Sequence, residues 1–193
     1  MIAKGKNDLQ AHIDEYAIVL ERLLSEVPEQ IKSSFCELEQ EIDKTVDDLP
    51  DEEACTIKDA LAMAYRMDDK TEMLESFYKS MVIMVCSYCE KTLLMMLPTK
   101  TKVKQEKEES KIDALFRVIK STYNLNEIDS VEILWSNKKN FIQFRNDIVH
   151  GKEYDNTLLT SEYINSNLKM AKHLLRTTAD IISRHTNFIN PIN

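Results

Sequence analysis

Residues 77–97 read FYKSMVIMVCSYCEKTLLMML, a stretch apolar on nearly every helical face and free of glycine and proline. A helix that is apolar all round is stable only where other elements surround it, so this segment predicts a central buried helix. Its longest unbroken apolar run, Met81 to Cys86, is far too short to cross a bilayer, and the expectation is burial within protein and no membrane association. Pro98 stops the helix, because a proline ring disfavours helical backbone in the residue before it.

Upstream, Leu9, Ile13, Tyr16, Leu20, Leu23 and Leu24 fall at helical spacing. Pro28 suits the first turn of a second helix, with Ile31, Phe35, Leu38, Ile42 and Val46 as its stripe and Pro50 as its stop. The expectation is an N-terminal helical hairpin over residues 1–50 as an extension, with residues 51–193 forming the main bundle. A further helical stretch leads from Pro50 into the central helix, with a break near Asp68-Asp69. Downstream, residues 99–110 read as a polar, disordered connection. A short helix follows from Lys111 with Ile112, Leu115, Phe116, Ile119 and Tyr123 on one face. Asp129 with Glu132 resembles a capping box opening a helix that ends at His150, with Val131, Leu134, Trp135, Phe141, Ile142, Ile148 and Val149 as its buried face. The last helix starts near Thr160, and its stripe is Ile164, Leu168, Ala171, Leu175, Thr178 and Ile182. Two glycines and four prolines in 193 residues leave little material for tight turns, and no strand-like alternation appears. The fold class is an all-α bundle of antiparallel helices.

Hydrophobic content of 43% with 30% charged residues is that of a globular chain. A net charge of −8 argues against a protein that coats nucleic acid, but not against a small, locally basic site. The charge is uneven: Glu37 to Glu53 holds nine carboxylates and one lysine, while Lys100 to Lys111 holds five lysines and three glutamates. The acidic run reads as a solvated face, or as a surface for a basic partner or a shield over the site. Met1 to Asp8 is polar and does not read as a signal peptide. The four cysteines are therefore expected reduced, in a cytoplasmic protein. Cys86 and Cys89 have C-x-x-C spacing without a second pair or neighbouring histidines, so they read as small core hydrophobes. His12, His173 and His185 stand without metal-ligand spacing, the methionines read as core filler, and no glycine-rich phosphate loop is present. Neither cofactor nor metal is expected.

One segment carries chemistry: Phe144-Arg145-Asn146-Asp147-Ile148-Val149-His150-Gly151. Gly151 suits a left-handed helix stop, so the last turn of its helix presents Arg145, Asn146 and His150. A permanent cation beside a group that titrates near neutrality suits phosphate-ester chemistry. Arg145 lies on an apolar stripe and needs a partner or an opening. Glu90, on the ridge of Ile83, Cys86, Leu94 and Leu97, is the expected carboxylate. A bland reading competes, in which Arg145 and Glu90 are only a buried ion pair and His150 a helix-end residue. Asp147 reads as a supporting residue that pairs with a lysine or with Arg145.

Arg145-Asn146-Asp147-Ile148-Val149-His150 resembles the signature of HEPN domains, an arginine and a histidine separated by four to six residues, often with Asn after the Arg. The resemblance covers roughly residues 70 to 186, and Glu90 stands where such domains often carry an acidic or polar residue in a preceding apolar helix. The closest likeness is to stand-alone nuclease-type HEPN proteins of bacterial defence and toxin systems. It implies a metal-independent endoribonuclease acting as a homodimer through the motif helix. Arg145 and His150 would be catalytic, Asn146 would assist, and Glu90 and Asp147 would support them. RNA would be the substrate, and an antitoxin or sensor protein a further partner. Some family toxins carry a modifiable tyrosine two residues after the histidine; here that position is Lys152, and Tyr154 follows two residues later. Lys138, Lys139 and Lys152 are the cations expected near the motif. The alternatives are a catalytically silent HEPN-like binding or dimerisation module, and a structural helical adaptor that recruits a basic partner.

Overall fold

The computed structural model describes residues 6–47, 49–125 and 131–185. Among these, the regular elements are helices: α1 (Lys6–Val46), α2 (Asp51–Ala64), α3 (Asp69–Met95), α4 (Lys111–Tyr123), α5 (Lys138–Val149) and α6 (Ser161–His185). Short 3-10 turns lie at Glu132–Trp135 and Asn156–Leu158. No helix among the described residues is long and apolar enough to cross a membrane.

The core forms where α1, α3 and α6 meet. All six residues of the α6 stripe, Ile164, Leu168, Ala171, Leu175, Thr178 and Ile182, are buried. They face Leu9, Ile13, Ala17, Leu20 and Leu24 of α1 and Met81, Val82, Val85, Cys86, Cys89 and Leu93 of α3. Polar side chains set the register. Gln10 donates to Asp180 at 2.7 Å and Arg176 to Asp14 at 2.7 Å, so α1 and α6 run antiparallel. The buried Tyr88 hydroxyl donates to the Ile13 carbonyl at 2.9 Å, and its ring stacks on Tyr16 with centroids 5.3 Å apart.

The hairpin expected over residues 8–26 and 28–46 does not form, because α1 runs unbroken through Pro28. A mid-helix proline has no N–H for the carbonyl four residues back, which here belongs to Leu24. The hydroxyl of Ser161, at the start of α6, donates to that carbonyl at 3.0 Å and takes the place of the missing donor. Beyond Pro28, α6 has no residues left to accompany α1, and α2 folds back along it instead. Lys58 pairs with Asp43 at 2.6 Å across this two-helix arm, and Phe35, Ile42 and Val46 are buried in its seam. At 1.5 Å per residue, the stretch from Pro28 to Val46 is roughly 28 Å long.

The break near Asp68-Asp69 is present. Arg66 takes a left-handed φ of 52°, and the Met67 amide reaches back to the Ala62 carbonyl at 3.0 Å. The connection from Thr99 to Ser110, expected to be disordered, is tied down. Arg117 of α4 donates to the Lys104 carbonyl at 2.8 Å and to both oxygens of Glu109 at 2.9 Å. Ser110 caps α4 by accepting from the Asp113 amide at 3.1 Å.

The single helix expected up to His150 is divided at Ser136-Asn137. Trp135 donates to Asn167 at 2.9 Å and Asn137 to Tyr163 at 3.0 Å, which pins this corner to α6 before α5 starts at Lys138. The capping box falls partly on Asp129, outside the described residues.

Candidate functional site

The last turn of α5 ends as its sequence predicts. Gly151 adopts φ +62°, its amide reaches the Ile148 carbonyl at 3.3 Å, and the Lys152 amide reaches the Asp147 carbonyl at 2.9 Å. These two bonds constitute a Schellman stop, which satisfies carbonyls that a helix end leaves orphaned. His150 is the C-cap residue, its amide held by the Asn146 carbonyl at 2.9 Å. Its side chain is exposed, and among the described residues the imidazole makes no hydrogen bond. The backbone is fixed and the imidazole is available to solvent.

Arg145 is half-buried, one turn before Val149. Its Nη1 donates to the Asn146 side-chain oxygen at 2.9 Å, while its Nε is buried with no partner. The expected pair with Glu90 does not form. Glu90 is bound instead by Lys111, at the start of α4, at 2.8 Å. Both charges are nonetheless close to one group: burial pushes the Cys86 thiol up to about 12, with Arg145 pulling it down and Glu90 adding to the rise. Lys111 thus takes the carboxylate that the sequence assigns to Arg145. Among the described residues no carboxylate is ion-paired to Arg145. A guanidinium has five N–H donors, and this one uses a single donor on a neutral amide.

Asn146 is turned toward Arg145 by that bond rather than toward His150. Asp147 accepts from Gln143 at 2.8 Å and pairs with neither a lysine nor Arg145 among the described residues. The cations expected around the motif are redistributed too. Lys138 is buried, 2.6 Å from Asp113 and over the Phe116 ring, so it contributes no rim. Lys139 and Lys152 are exposed. Val149, expected on the buried face, is 48% exposed beside His150.

Two groups carry no clear sequence signal. Lys111 stands in a lysine-rich connection with no sign that it meets Glu90, because the contact depends on how α4 docks against α3. The second group is Glu75, Lys79 and Tyr154. The Tyr154 hydroxyl donates to Glu75 at 3.1 Å, Lys79 pairs with Glu75 at 2.6 Å, and the Tyr154 ring meets Phe144 edge-on at 5.7 Å. The hydrogen bonds from Lys79 and Tyr154 hold the Glu75 carboxyl below its ordinary value. This cluster fastens the segment after Gly151 onto α3 and so fixes the exit of the chain from the motif helix. The only sequence signal for it was the displacement of the tyrosine to position 154.

Cys86 and Cys89 are buried free thiols, and burial also raises Cys89 well above the usual thiol value. Among the described residues, no group of three His, Cys, Asp or Glu side chains could hold a metal ion. No protein family, curated protein or solved structure matches the chain.

Proposed function

We propose that this protein is an endoribonuclease of the HEPN type, cleaving RNA as a homodimer through Arg145 and His150, in the manner of a defence or toxin effector. The observation that carries the reading is the uncancelled charge of Arg145 close to an exposed histidine on a rigid helix stop. The competing account needed Arg145 to be consumed by Glu90, and Glu90 is held by Lys111.

RNA brings its own nucleophile. The 2′-hydroxyl gives its proton to one imidazole and its oxygen attacks the adjacent phosphorus. The bond from phosphorus to the 5′-oxygen breaks, and that oxygen takes a proton from the second imidazole. Products are a 2′,3′-cyclic phosphate and a 5′-hydroxyl. Histidine suits both proton transfers because it titrates near neutrality as a residue type. Each chain offers one His150, so two chains supply base and acid. Arg145 binds the non-bridging oxygens and stabilises charge as it builds on them. Asn146 holds the guanidinium in place through its side-chain oxygen.

The test is end-group analysis of cleaved RNA. Cyclic-phosphate and 5′-hydroxyl ends that disappear in Arg145→Ala, with the variant still folded, would bear the reading out. A variant that cleaves as well as wild type but melts earlier would return Arg145 to a purely structural role.

A further inference from the structure

The lysine-rich connection between α3 and α4 is fixed in shape and carries unspent positive charge. Lys100, Lys102, Lys104 and Lys107 are exposed, and among the described residues none is in an ion pair. The carboxylates that could neutralise them are mostly engaged elsewhere. Arg117 takes both oxygens of Glu109 at 2.9 Å and lies 3.5 Å from Glu106, and it holds Glu109 down at about 2. Four lysines and Arg117 stand against Glu106, Glu108 and Glu109, a net charge of +2. The Glu106 amide donates to Glu109 at 2.9 Å, Gln105 donates to the Glu109 carbonyl, and Val103 packs partly buried against the core. An ordered backbone lowers the entropy lost when a ligand is gripped.

The position of this loop matters as much as its charge. It runs into α4, whose first residue Lys111 holds Glu90 at 2.8 Å and whose Asp113 pairs at 2.6 Å with Lys138, the first residue of the motif helix. From Lys138, Arg145 and His150 lie roughly 10 and 18 Å further along α5. The acid lies elsewhere. Residues 37–53 carry nine carboxylates against one lysine, a net −8, so the rest of the chain, with 24 of each sign, is balanced. The described residues of that acidic segment, 37–47 and 49–53, form the tip of the α1–α2 arm, before α3 begins, whereas the loop follows the end of α3. The 27 residues of α3 put roughly 40 Å between the two ends. Acid and base are separated along the molecule, so the overall negative charge does not cancel the local field over the loop.

We propose that Lys100, Lys102, Lys104 and Lys107 form the track on which the RNA backbone lies as it enters the Arg145–His150 site. The inference rests on the ribonuclease reading for its ligand, single-stranded RNA. Its contacts are to phosphates, so it supplies affinity and direction without base selection.

The experiment is fluorescence anisotropy of a short labelled single-stranded RNA against the full chain carrying His150→Ala. Salt is varied from about 50 to 200 mM, with and without Lys→Gln at all four positions. The track predicts an affinity loss of at least about tenfold, and a log–log salt slope shallower by about 0.7 for each lysine lost from a phosphate. Lys→Arg at the same positions restores both, and thermal melting is unchanged throughout. Equal affinity and equal slope in the Lys→Gln variant overturn the track, as does an absence of RNA binding by the parent. The two readings fail separately. If wild type cleaves RNA and the Lys→Gln variant binds and cleaves equally well, the track falls and the ribonuclease stands. If the lysines govern binding but wild type never cleaves, the track stands and the ribonuclease falls.

Discussion

Pro28 and Ser161 are 133 positions apart, yet the structure makes each a condition for the other. The Leu24 carbonyl, deprived of its helical donor by Pro28, accepts from Ser161 at 3.0 Å in a half-buried setting. Ser161→Ala removes that donor while the proline still withholds the other. Leaving a buried acceptor unsatisfied costs about 1–3 kcal/mol, and partial access to water in the cleft beside Pro28 places this case near the lower end. For a chain of this size, each kcal/mol corresponds to roughly 2–4 °C in Tm. Pro28→Ala restores the N–H and relieves the ring, so it raises stability by about 1–2 kcal/mol after allowance for the greater freedom of the unfolded chain. In the Pro28→Ala background the Leu24 carbonyl has its helical partner back. There Ser161→Ala loses only the 3.2 Å contact with the Tyr78 hydroxyl, which costs about 0.5–1 kcal/mol and is common to both backgrounds. Urea melts of the two single variants, the double variant and wild type give the coupling directly, expected at about 1 kcal/mol. Additivity to within about 0.3–0.5 kcal/mol would refute the claim that Ser161 makes the continuous helix possible.

Left-handed helix stops give a paired prediction. Arg66 and Gly151 both end helices at positive φ, so Arg66→Gly should raise stability by about 1 kcal/mol and Gly151→Ala lower it by a similar amount. A methyl added at Gly151 meets nothing within 4 Å, so a much larger loss in thermal melts would show that the stop bears more than backbone strain. The Lys138–Asp113 pair gives a second. Burial works to raise the Asp113 carboxyl, but hydrogen bonds from Lys138 and Ser110 outweigh it and leave it below its ordinary value. Its stabilisation is therefore complete above the unfolded carboxyl value near pH 4 and fades as the pH falls through the lower folded value. Asp113→Asn should lower stability at pH 7 and flatten the acid limb of the stability profile; an unchanged limb would contradict the pairing. The thiols give a third. Cys36 and Cys55 are exposed whereas Cys86 and Cys89 are buried with raised thiol values, so a neutral disulfide reagent should titrate two thiols in the native protein. The remaining two should react only on unfolding, and four fast thiols in the native state would show that the core is open.

What was legible in the sequence is what local pattern controls. The α6 stripe is legible residue for residue because a step of four and three has one meaning, and Gly151 is legible because few residues enter the left-handed region freely. What was not legible depends on partners far along the chain. Pro28 looked like a helix start because nothing near it announces that a hydroxyl at position 161 will satisfy Leu24. The break before Lys138 comes from Trp135 and Asn137 reaching Asn167 and Tyr163, a demand of packing that overrides an apolar periodicity. At the candidate site, the helix end and its exposed histidine followed from spacing. The partner of Glu90 did not, because both Arg145 and Lys111 are sequence-compatible cations and only the docking of α4 selects between them.

The most direct test of the central claim is cleavage of a labelled RNA pool by purified wild-type protein in EDTA, beside a folded His150→Ala variant. The account predicts cleavage by wild type that the chelator leaves intact and that the variant loses. Its fragments should end in 2′,3′-cyclic phosphates. Folded, dimeric wild type that leaves the RNA whole, or a His150→Ala variant that cleaves it as fast, would contradict the account.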